Sequence, residues 1–217
     1  MIESDERQNI FESFEVPDPV RIRKVGRLLK AHVRNVQGLS VLECGVCKGG
    51  IAELFSKEGA ACFGVDLNPR AVDGVTVYRY DLNQGFPDFK RQFDIIFAGE
   101  VMEHLYDDMR FLKSCHQLLN PGGILALTVP NLVFSVNRLL MLFGKEPMFA
   151  YEPYHYHIYT KTVLRDLVTN AGFEVLDVSS SHVLFSTRRH KVGRLFEILA
   201  DWFPSFGAHL IFLARKS

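Results

Sequence analysis

The residues with the clearest chemical potential lie in one short stretch, 41–50, which reads Val-Leu-Glu-Cys-Gly-Val-Cys-Lys-Gly-Gly. Two apolar residues lead into the acid Glu43, and helix-like spacing of apolar residues resumes at Ile51. The glycines allow the backbone to turn sharply from a strand into a helix, and they let a ligand lie against the main chain. The stretch therefore predicts a binding loop between a strand and a helix.

Glu43 indicates the charge of the ligand. A loop that binds a pyrophosphate offers N–H groups to an anion, and a carboxylate at the end of the strand would repel that anion. The dinucleotide-binding pattern would also place a glycine where this chain has Cys47. A ligand with a cationic group and a nucleoside is a better match. S-adenosylmethionine, a sulfonium that carries an ammonium group, has this description.

The same stretch resembles the first motif of the class I S-adenosylmethionine-dependent methyltransferases, in which an acid is followed by G-x-G-x-G. The matching residues are Glu43, Gly45, Cys47 and Gly49, so that cysteine replaces the central glycine. The resemblance implies S-adenosylmethionine as the cofactor and S-adenosylhomocysteine as the product.

Three later stretches, 64–68, 93–105 and 118–130, resemble further motifs of the family in the family's order. The resemblance covers about residues 41–173. It implies an α/β fold with a Rossmann-like, doubly wound sheet of seven strands, mostly parallel with an antiparallel last strand, and with helices on both faces.

Asp66 and Asp81 are the acids expected to bind the nucleoside. Asp66 ends an apolar strand 21 residues after Gly45, a spacing that suits a carboxylate accepting hydrogen bonds from both ribose hydroxyls. Its alternative role is to cap a helix that begins near Pro69. The resemblance assigns Asp81 to the adenine amino group, although taken alone such a residue is more often a surface loop aspartate. The predicted cofactor-binding residues are Glu43, Cys44, Gly45, Val46, Gly49, Asp66, Leu67, Asp81, Leu82, Gly99 and Glu100.

A histidine is the natural base if the acceptor is a hydroxyl group, which must lose a proton as it takes the methyl group. Of the eight histidines, only three fall where the fold would bring them to the open edge of the sheet. The predicted catalytic residues are His157 and His155, and His104 is the next candidate. A histidine chosen without such context is more often structural.

An insertion at 131–157 departs from the simple alternation of strand and helix. Its first half has helical spacing of apolar residues up to Gly144, and its second half is rich in aromatic residues. The helix could extend the core. We expect instead a lid over the methyl-donor end of the groove, with walls that suit an apolar or aromatic acceptor.

Other elements follow from apolar periodicity. The pattern predicts a helix over 20–36 and a helix that opens at 100–104, directly after strand four. A Pro-Gly-Gly turn at 121–123 precedes strand five. The further predicted strands are 61–65, 75–80, 124–130, 174–178 and 209–214.

Length and composition agree with one methyltransferase domain, 1–217, whose N-terminal flap and helix span 1–36. Basic and acidic residues number 25 each, so no overall field favours nucleic acid or an anionic membrane, although a local patch remains open. The N-terminus has no secretory pattern, and prolines and glycines interrupt the longest charge-free run. We expect a soluble, cytoplasmic protein without a transmembrane segment.

The four cysteines do not form a disulfide framework in a chain of this length. Cys44 and Cys47 could be a redox pair or half of a zinc site, but no second pair has similar spacing, and the glycine loop already explains their position. We expect no metal.

The leading functional hypothesis is methyl transfer from S-adenosylmethionine to a small-molecule acceptor, with O-methylation expected. One alternative is a catalytically silent relative that holds the nucleoside and serves as a partner subunit. Another is a nicotinamide-dependent oxidoreductase, which Glu43 and Cys47 disfavour.

Overall fold

The computed structural model describes residues 19–47, 49–148, 152, 154–184 and 191–217. In these residues seven strands form one sheet. The strands are β1 (Ser40–Cys44), β2 (Ala61–Asp66), β3 (Val75–Arg79), β4 (Phe93–Gly99), β5 (Leu119–Pro130), β6 (Phe173–Ser180) and β7 (His209–Lys216). The α-helices are α1 (Pro19–His32), α2 (Ile51–Ser56), α3 (Asp108–Leu118), α4 (Ser135–Leu142), α5 (Lys161–Asn170) and α6 (Lys191–Trp202). Short 3₁₀ helices occupy Leu82–Gln84, Met102–His104 and Pro204–Phe206.

The strand order is β3-β2-β1-β4-β5-β7-β6. Strands β1 to β5 pair in parallel, and β7 is antiparallel to both of its neighbours, β5 and β6. The predicted fold class is therefore confirmed. Because β2 and β4 lie on opposite sides of β1, the direction in which successive strands are added reverses at that point, and a crevice opens there at the carboxyl ends of the strands.

Apolar side chains cover both faces of the sheet, which explains why the central strands are apolar along nearly their whole length. On one face α1 and α2 bury Val25, Leu29, Ile51 and Phe55. On the other face α3 and α5 bury Phe111, Leu112, Leu164 and Val168. Each such side chain contributes about 1.5–3 kcal/mol by leaving water. No helix in the described ranges is long and apolar enough to cross a bilayer.

Helix α1 is shorter than its apolar pattern predicted, and it ends at His32 rather than near residue 36. The side-chain oxygen of Asn35 accepts a hydrogen bond from the Gln37 N–H at 3.0 Å, and Gly38 has φ +80°. An asparagine that bonds to the backbone in this way competes with the helix. The predicted flap at 1–18 lies outside the described residues.

The prediction of a helix opening at 100–104 is wrong. Glu100 has φ +57°, which is incompatible with a right-handed helix, and only one 3₁₀ turn follows at Met102–His104. Helix α3 begins at Asp108, where the Asp107 carboxylate accepts from the Arg110 N–H at 2.8 Å. The predicted turn at 121–123 lies within β5, where it shifts the register against β4.

Lys24 joins α1 to the far edge of the sheet. Its side chain is 2% exposed, and its ammonium group donates to the Ser180 carbonyl at 2.7 Å, the Glu197 carbonyl at 2.5 Å and the Asp201 carboxylate at 2.9 Å. A buried ammonium group is tolerated only when its hydrogen bonds are made, and here all three donors are used.

We predict that Lys24→Met lowers the free energy of unfolding by about 2–3 kcal/mol, because two carbonyl oxygens lose their donor. The loss should stay below that of a fully buried ion pair, since Asp201 keeps its pair with Arg27. Urea unfolding followed by circular dichroism measures the change. Arg23→Met is the matched control, because Arg23 is largely exposed where it pairs with Glu197, and it should cost less than about 1 kcal/mol.

Candidate active site

The glycine loop connects β1 to α2 at the carboxyl edge of the sheet. Gly45 has φ +71° and Gly49 has φ +101°, conformations that a side chain disfavours. A Cβ atom on Gly45 would also lie only 2.7 Å from the Val101 side chain, which follows β4. The loops after β1 and β4 therefore touch across the crevice, and glycine makes that approach possible.

Glu43 is buried beneath the loop and bonded to the start of α2. Its carboxylate accepts from the Ala52 N–H at 2.8 Å, and a Cβ atom on Gly50 would lie 2.2 Å from the nearer carboxylate oxygen. Burial raises the pKa of Glu43 to about 8, although the hydrogen bonds from α2 oppose this rise. Glu43 thus stabilises the helix N-terminus. Its predicted contact with the cofactor stays a prediction.

Asp66 lies beside the glycine loop, as its position at the end of the next strand predicted. Its carboxylate accepts from the Cys47 N–H at 2.9 Å and from the Asn68 N–H at 2.8 Å. No helix begins after it, since 67–74 has no helical residue, so the alternative role of capping a helix is wrong. Cys47, at the position of the family's central glycine, has φ +41°.

Asp81 caps the short helix Leu82–Gln84 by accepting from the Asn83 N–H at 2.9 Å. The Asn83 side chain in turn accepts from the Tyr106 N–H at 2.8 Å, which ties this turn to the segment after β4. Asp81 and Leu82 therefore reach the same edge of the sheet as Asp66. A cavity of about 220 Å³ beside the turn is lined by residues that include Leu82, Phe86, Leu105 and Tyr106.

Glu100 follows Gly99 at the end of β4 and forms the centre of a charged cluster. Its carboxylate lies 3.1 Å from the Arg21 guanidinium and 3.5 Å from the His209 imidazole. Burial opposes ionisation, but the Arg21 guanidinium, with the His209 imidazole beside it, holds the pKa of Glu100 below its usual range. Its φ of +57° is strained for a residue with a side chain, and such strain often marks a functional site.

His209 was missed by the sequence reasoning, which considered only three histidines at this edge. It is the first residue of β7 and pairs with Pro130, the last residue of β5. An antiparallel strand enters the sheet at the edge where parallel strands end. The antiparallel last strand implied by the resemblance was therefore the signal that could have found His209.

Glu103 is the most deeply buried acid of the site, at 1% exposure. Neither of its carboxylate oxygens has a hydrogen-bond partner in the described part of the chain. Burial, with the nearby charge of Glu100, raises the pKa of Glu103 well above its usual value. Two carboxyl groups three positions apart thus have pKa values shifted in opposite directions, an arrangement that allows one to hold a proton while the other is ionised.

His104 and His155 are brought together, as predicted. Their ring centroids are 4.8 Å apart, and His104 Nδ1 lies 3.1 Å from the Tyr154 carbonyl oxygen. One ligand atom each from Glu103, His104 and His155 lie within 4.8 Å of one another. Two imidazoles and a carboxylate form a donor set that suits a divalent cation such as Zn²⁺. The expectation of no metal stays a prediction.

His157 differs from the other two in its surroundings. Its Nδ1 lies 3.8 Å from the Asp108 carboxylate, which also accepts a hydrogen bond from the Tyr159 hydroxyl at 3.1 Å. Its Nε2 is buried and has no hydrogen-bond partner in the ranges that the structure describes. An imidazole with one nitrogen toward a carboxylate and the other unbonded has the arrangement of a general base.

The insertion contains α4, whose apolar residues are not part of the core. Leu142 and Phe143 are 78% and 72% exposed, and the only buried residue of the helix is Asn137. The Asn137 amide donates to the Leu132 and Met148 carbonyls and accepts from the Met148 N–H, which closes the segment into a compact loop. The alternative that α4 extends the core is therefore wrong. The lid stays a prediction, and 149–151 and 153 lie outside the described residues.

None of the four cysteines forms a disulfide bond. Cys44 is fully buried, and burial raises the pKa of its thiol. The Cys47 backbone N–H donates to the Asp66 carboxylate. The expectation that neither residue has a redox or zinc role stays a prediction.

Comparison with known proteins supports the same conclusion as the loop. The sequence profile of a methyltransferase domain matches residues 19–178. The chain belongs to this methyltransferase family. The resemblance to class I S-adenosylmethionine-dependent methyltransferases is confirmed, and the membership is evidence against the oxidoreductase alternative.

Individual relatives are more distant. The ubiquinone biosynthesis O-methyltransferase of Coxiella burnetii is 27% identical over 179 residues, which cover 76% of this chain and 74% of the relative. A Burkholderia thailandensis structure, the N1-methyltransferase of 1,6-didemethyltoxoflavin with bound S-adenosylhomocysteine, has a TM-score of 0.63 at 16% identity and covers 99% of this chain and 84% of that one. The cyclase SpnF has a TM-score of 0.60 at 18% identity, covering 89% and 80%. At these identities the two structures show the fold alone.

Cys47→Gly should leave folding intact and raise stability by up to about 1 kcal/mol, because glycine adopts a positive φ without the steric cost of a side chain. The hydrogen bond to Asp66 comes from the backbone, so cofactor affinity should be unchanged or tighter. Thermal unfolding and isothermal titration with S-adenosylmethionine measure both. Loss of folding, or of a bound metal, would instead support a structural role for the thiol.

Glu43→Gln tests the raised pKa. The Gln variant keeps an acceptor for the Ala52 N–H. In the unfolded chain Glu43 ionises above the usual glutamate value of 4.5, whereas burial raises its pKa in the folded protein to about 8, so the wild-type protein loses stability as the pH rises between these two values. The variant should therefore gain stability relative to wild type across this range, by at most about 5 kcal/mol, and gain nothing more at higher pH. Urea unfolding at pH 5, 7 and 9 measures the difference. A difference that does not change with pH would mean that Glu43 is ionised throughout.

Proposed function

We propose that this protein transfers the methyl group of S-adenosylmethionine to the hydroxyl oxygen of a small-molecule acceptor. One observation carries the proposal. The β1–β4 crevice has the glycine loop and two strand-end aspartates on one side, and a cluster of imidazole and carboxyl groups on the other. The first side suits a nucleoside with a cationic tail, and the second suits an acceptor that loses a proton.

The donor would lie along the carboxyl ends of β1, β2 and β3. Asp66 already accepts two backbone N–H groups, and its carboxylate has further lone pairs for the ribose hydroxyls. Asp81 and the adjoining cavity provide the place for adenine. The negative charge of Glu100, at the end of β4, would face the positive charges of the donor.

The acceptor must approach the methyl carbon to about 3 Å, in line with the bond that breaks. Its hydroxyl proton would pass to His157, whose unbonded Nε2 can accept it while Asp108 orients the ring. His155 and His104 are the next candidates, and each places a ring nitrogen within 4.8 Å of the Glu103 carboxylate. Transfer to a hydroxyl then leaves S-adenosylhomocysteine and a methyl ether.

The acceptor class is supported by the insertion and by the relatives. Tyr156 of the insertion packs on Tyr106, which follows β4, so aromatic side chains lie beside this segment and would suit an apolar molecule. The Coxiella relative is named as an O-methyltransferase of ubiquinone biosynthesis, which agrees with an apolar acceptor bearing a hydroxyl group. The N-methyltransferase among the structures uses the same fold for another nucleophile, so the atom must be tested directly.

A second candidate is a protein that binds S-adenosylmethionine without transferring its methyl group. The fold is compatible with this function, because SpnF is named as a cyclase. Binding of the cofactor alone would not separate the two candidates. Transfer of a labelled methyl group to an acceptor would.

Asp66→Ala should weaken binding of S-adenosylmethionine by at least about ten-fold, because charge-assisted hydrogen bonds to the ribose are lost. Isothermal titration measures the change, and Asp73→Ala is the control, since Asp73 is an exposed aspartate that precedes β3.

With labelled cofactor and a panel of phenols and quinols, His157→Gln should lower kcat more than KM, because the variant lacks the base that takes the hydroxyl proton. His116→Gln, which changes a histidine packed on Phe173, should leave both unchanged.

Unchanged affinity in Asp66→Ala would remove this residue from the site. Tight binding of the cofactor with no transfer to any acceptor would establish the silent alternative. Transfer only to amines would show that the nucleophile is nitrogen rather than oxygen.

A further inference from the structure

Helix α6 directs its acidic residues toward the protein rather than toward water. Its two acids, Glu197 and Asp201, pair with Arg23, Lys24 and Arg27 of α1. The sequence of the helix contains no other acid. The negative charges of α6 are therefore already neutralised on its inner side.

The outer side of α6 is apolar. Leu195, Ile198 and Trp202 are 52%, 47% and 78% exposed, and their spacing of three and four residues places them on one side of the helix. Phe203 and Phe206 follow in the next turn and are also exposed. An ordinary surface helix has the opposite arrangement, with its apolar stripe inward. A continuous exposed apolar area of this kind marks an interaction surface.

The apolar area continues onto α4. The Arg138 guanidinium lies 4.4 Å from the centroid of the Phe206 ring, so α4 is in contact with the Pro204–Phe206 turn that follows α6. Leu139, Leu142 and Phe143 are exposed on the same helix as Arg138. We call the exposed apolar side chains of α4, of α6 and of the Pro204–Phe206 turn the apolar face.

Cations surround the apolar face. Arg194 on α6 is exposed, as are Arg138 and Lys145 at α4. Glu146 is the one exposed acid next to these cations on α4 and the residues that follow it. The formal charge of the whole chain is zero, so this is a local excess.

We propose that the apolar face docks the protein on an anionic lipid surface. Leu195, Ile198 and Trp202 would enter the boundary between headgroups and acyl chains, while Arg138 and Arg194 would pair with lipid phosphates. An exposed tryptophan is suited to this boundary, because its ring is apolar and its N–H is polar. In a two-fold contact between copies of the chain, the cationic rims would meet each other, which disfavours a second copy as the occupant. Lipid docking does not require methyl transfer and can be measured without it.

Trp202 provides a direct reporter, because it is the only tryptophan of the sequence. The full chain is mixed with vesicles of phosphatidylcholine, with or without phosphatidylglycerol, at low and high salt. Tryptophan emission and sedimentation with the vesicles are recorded. With anionic vesicles the emission should shift to shorter wavelength, acrylamide quenching should fall, and the protein should sediment. High salt should weaken the binding.

Two changes that leave Trp202 in place test the face. The double variant Leu195→Ser, Ile198→Ser should lower the partition constant at least about ten-fold, since two apolar side chains leave the lipid. Arg194→Ala should lower it about five-fold on anionic vesicles only. Val163→Ser is the matched control, an equally exposed apolar residue of α5 on the opposite face of the sheet, and should change nothing. Circular dichroism confirms that each variant is folded.

Two results would overturn the proposal. One is a wild-type protein that neither sediments with anionic vesicles nor changes its emission. The other is an emission shift that appears without lipid and grows with protein concentration, which would assign the apolar face to contact between copies of the chain.

Discussion

The reversal of strand order at β1 is the constraint on which the rest of the site depends. Strands β2 and β4 lie on opposite sides of β1, so the segments that follow β1 and β4 diverge and leave a crevice. The crevice is narrow where Gly45 meets Val101. A ligand in it therefore meets the glycine loop, the acids at the ends of β2 and β3, and the segment after β4. Those residues can act on one ligand only because this topology places them along one edge of the sheet.

Charge within the crevice depends on helix α1. Arg21 lies 3.1 Å from the Glu100 carboxylate and, with the His209 imidazole, holds the pKa of Glu100 below its usual range. Burial and the charge of Glu100 raise the pKa of Glu103, whose carboxylate oxygens have no hydrogen-bond partner among the described residues. Lys24, one turn further along α1, makes the corresponding contact with α6. One helix thus links the reactive cluster to the apolar face.

The glycine loop, most strand positions and the strand-end acids could be predicted, because each depends on neighbours within a few residues of sequence. Asp66 is an example, since an apolar strand and the spacing from the loop are both visible in the chain. The ion pairs could not be predicted. Lys24 and Asp201 are separated by 177 positions, and nothing local indicates that α6 turns its acids inward. The expected helix after β4 failed for a related reason, since composition at 100–104 favours a helix but the packed position of Glu100 demands a positive φ. Predicting the position of His209 required one further step, which is that an antiparallel β7 begins at the edge where the parallel strands end.

The position of β7 has a consequence for how the chain folds. In the sheet β7 lies between β5 and β6, yet it follows both in sequence. When β6 leaves the ribosome it has no strand to pair with, because its only neighbour has not been synthesised, and β5 likewise presents an open edge. The parallel strands β1 to β5 can assemble as they emerge, whereas β6 can join the sheet only after β7 has inserted beside β5. Until β7 inserts, β5 and β6 expose unpaired backbone groups that could pair with another chain. A chaperone would therefore be most useful in this interval.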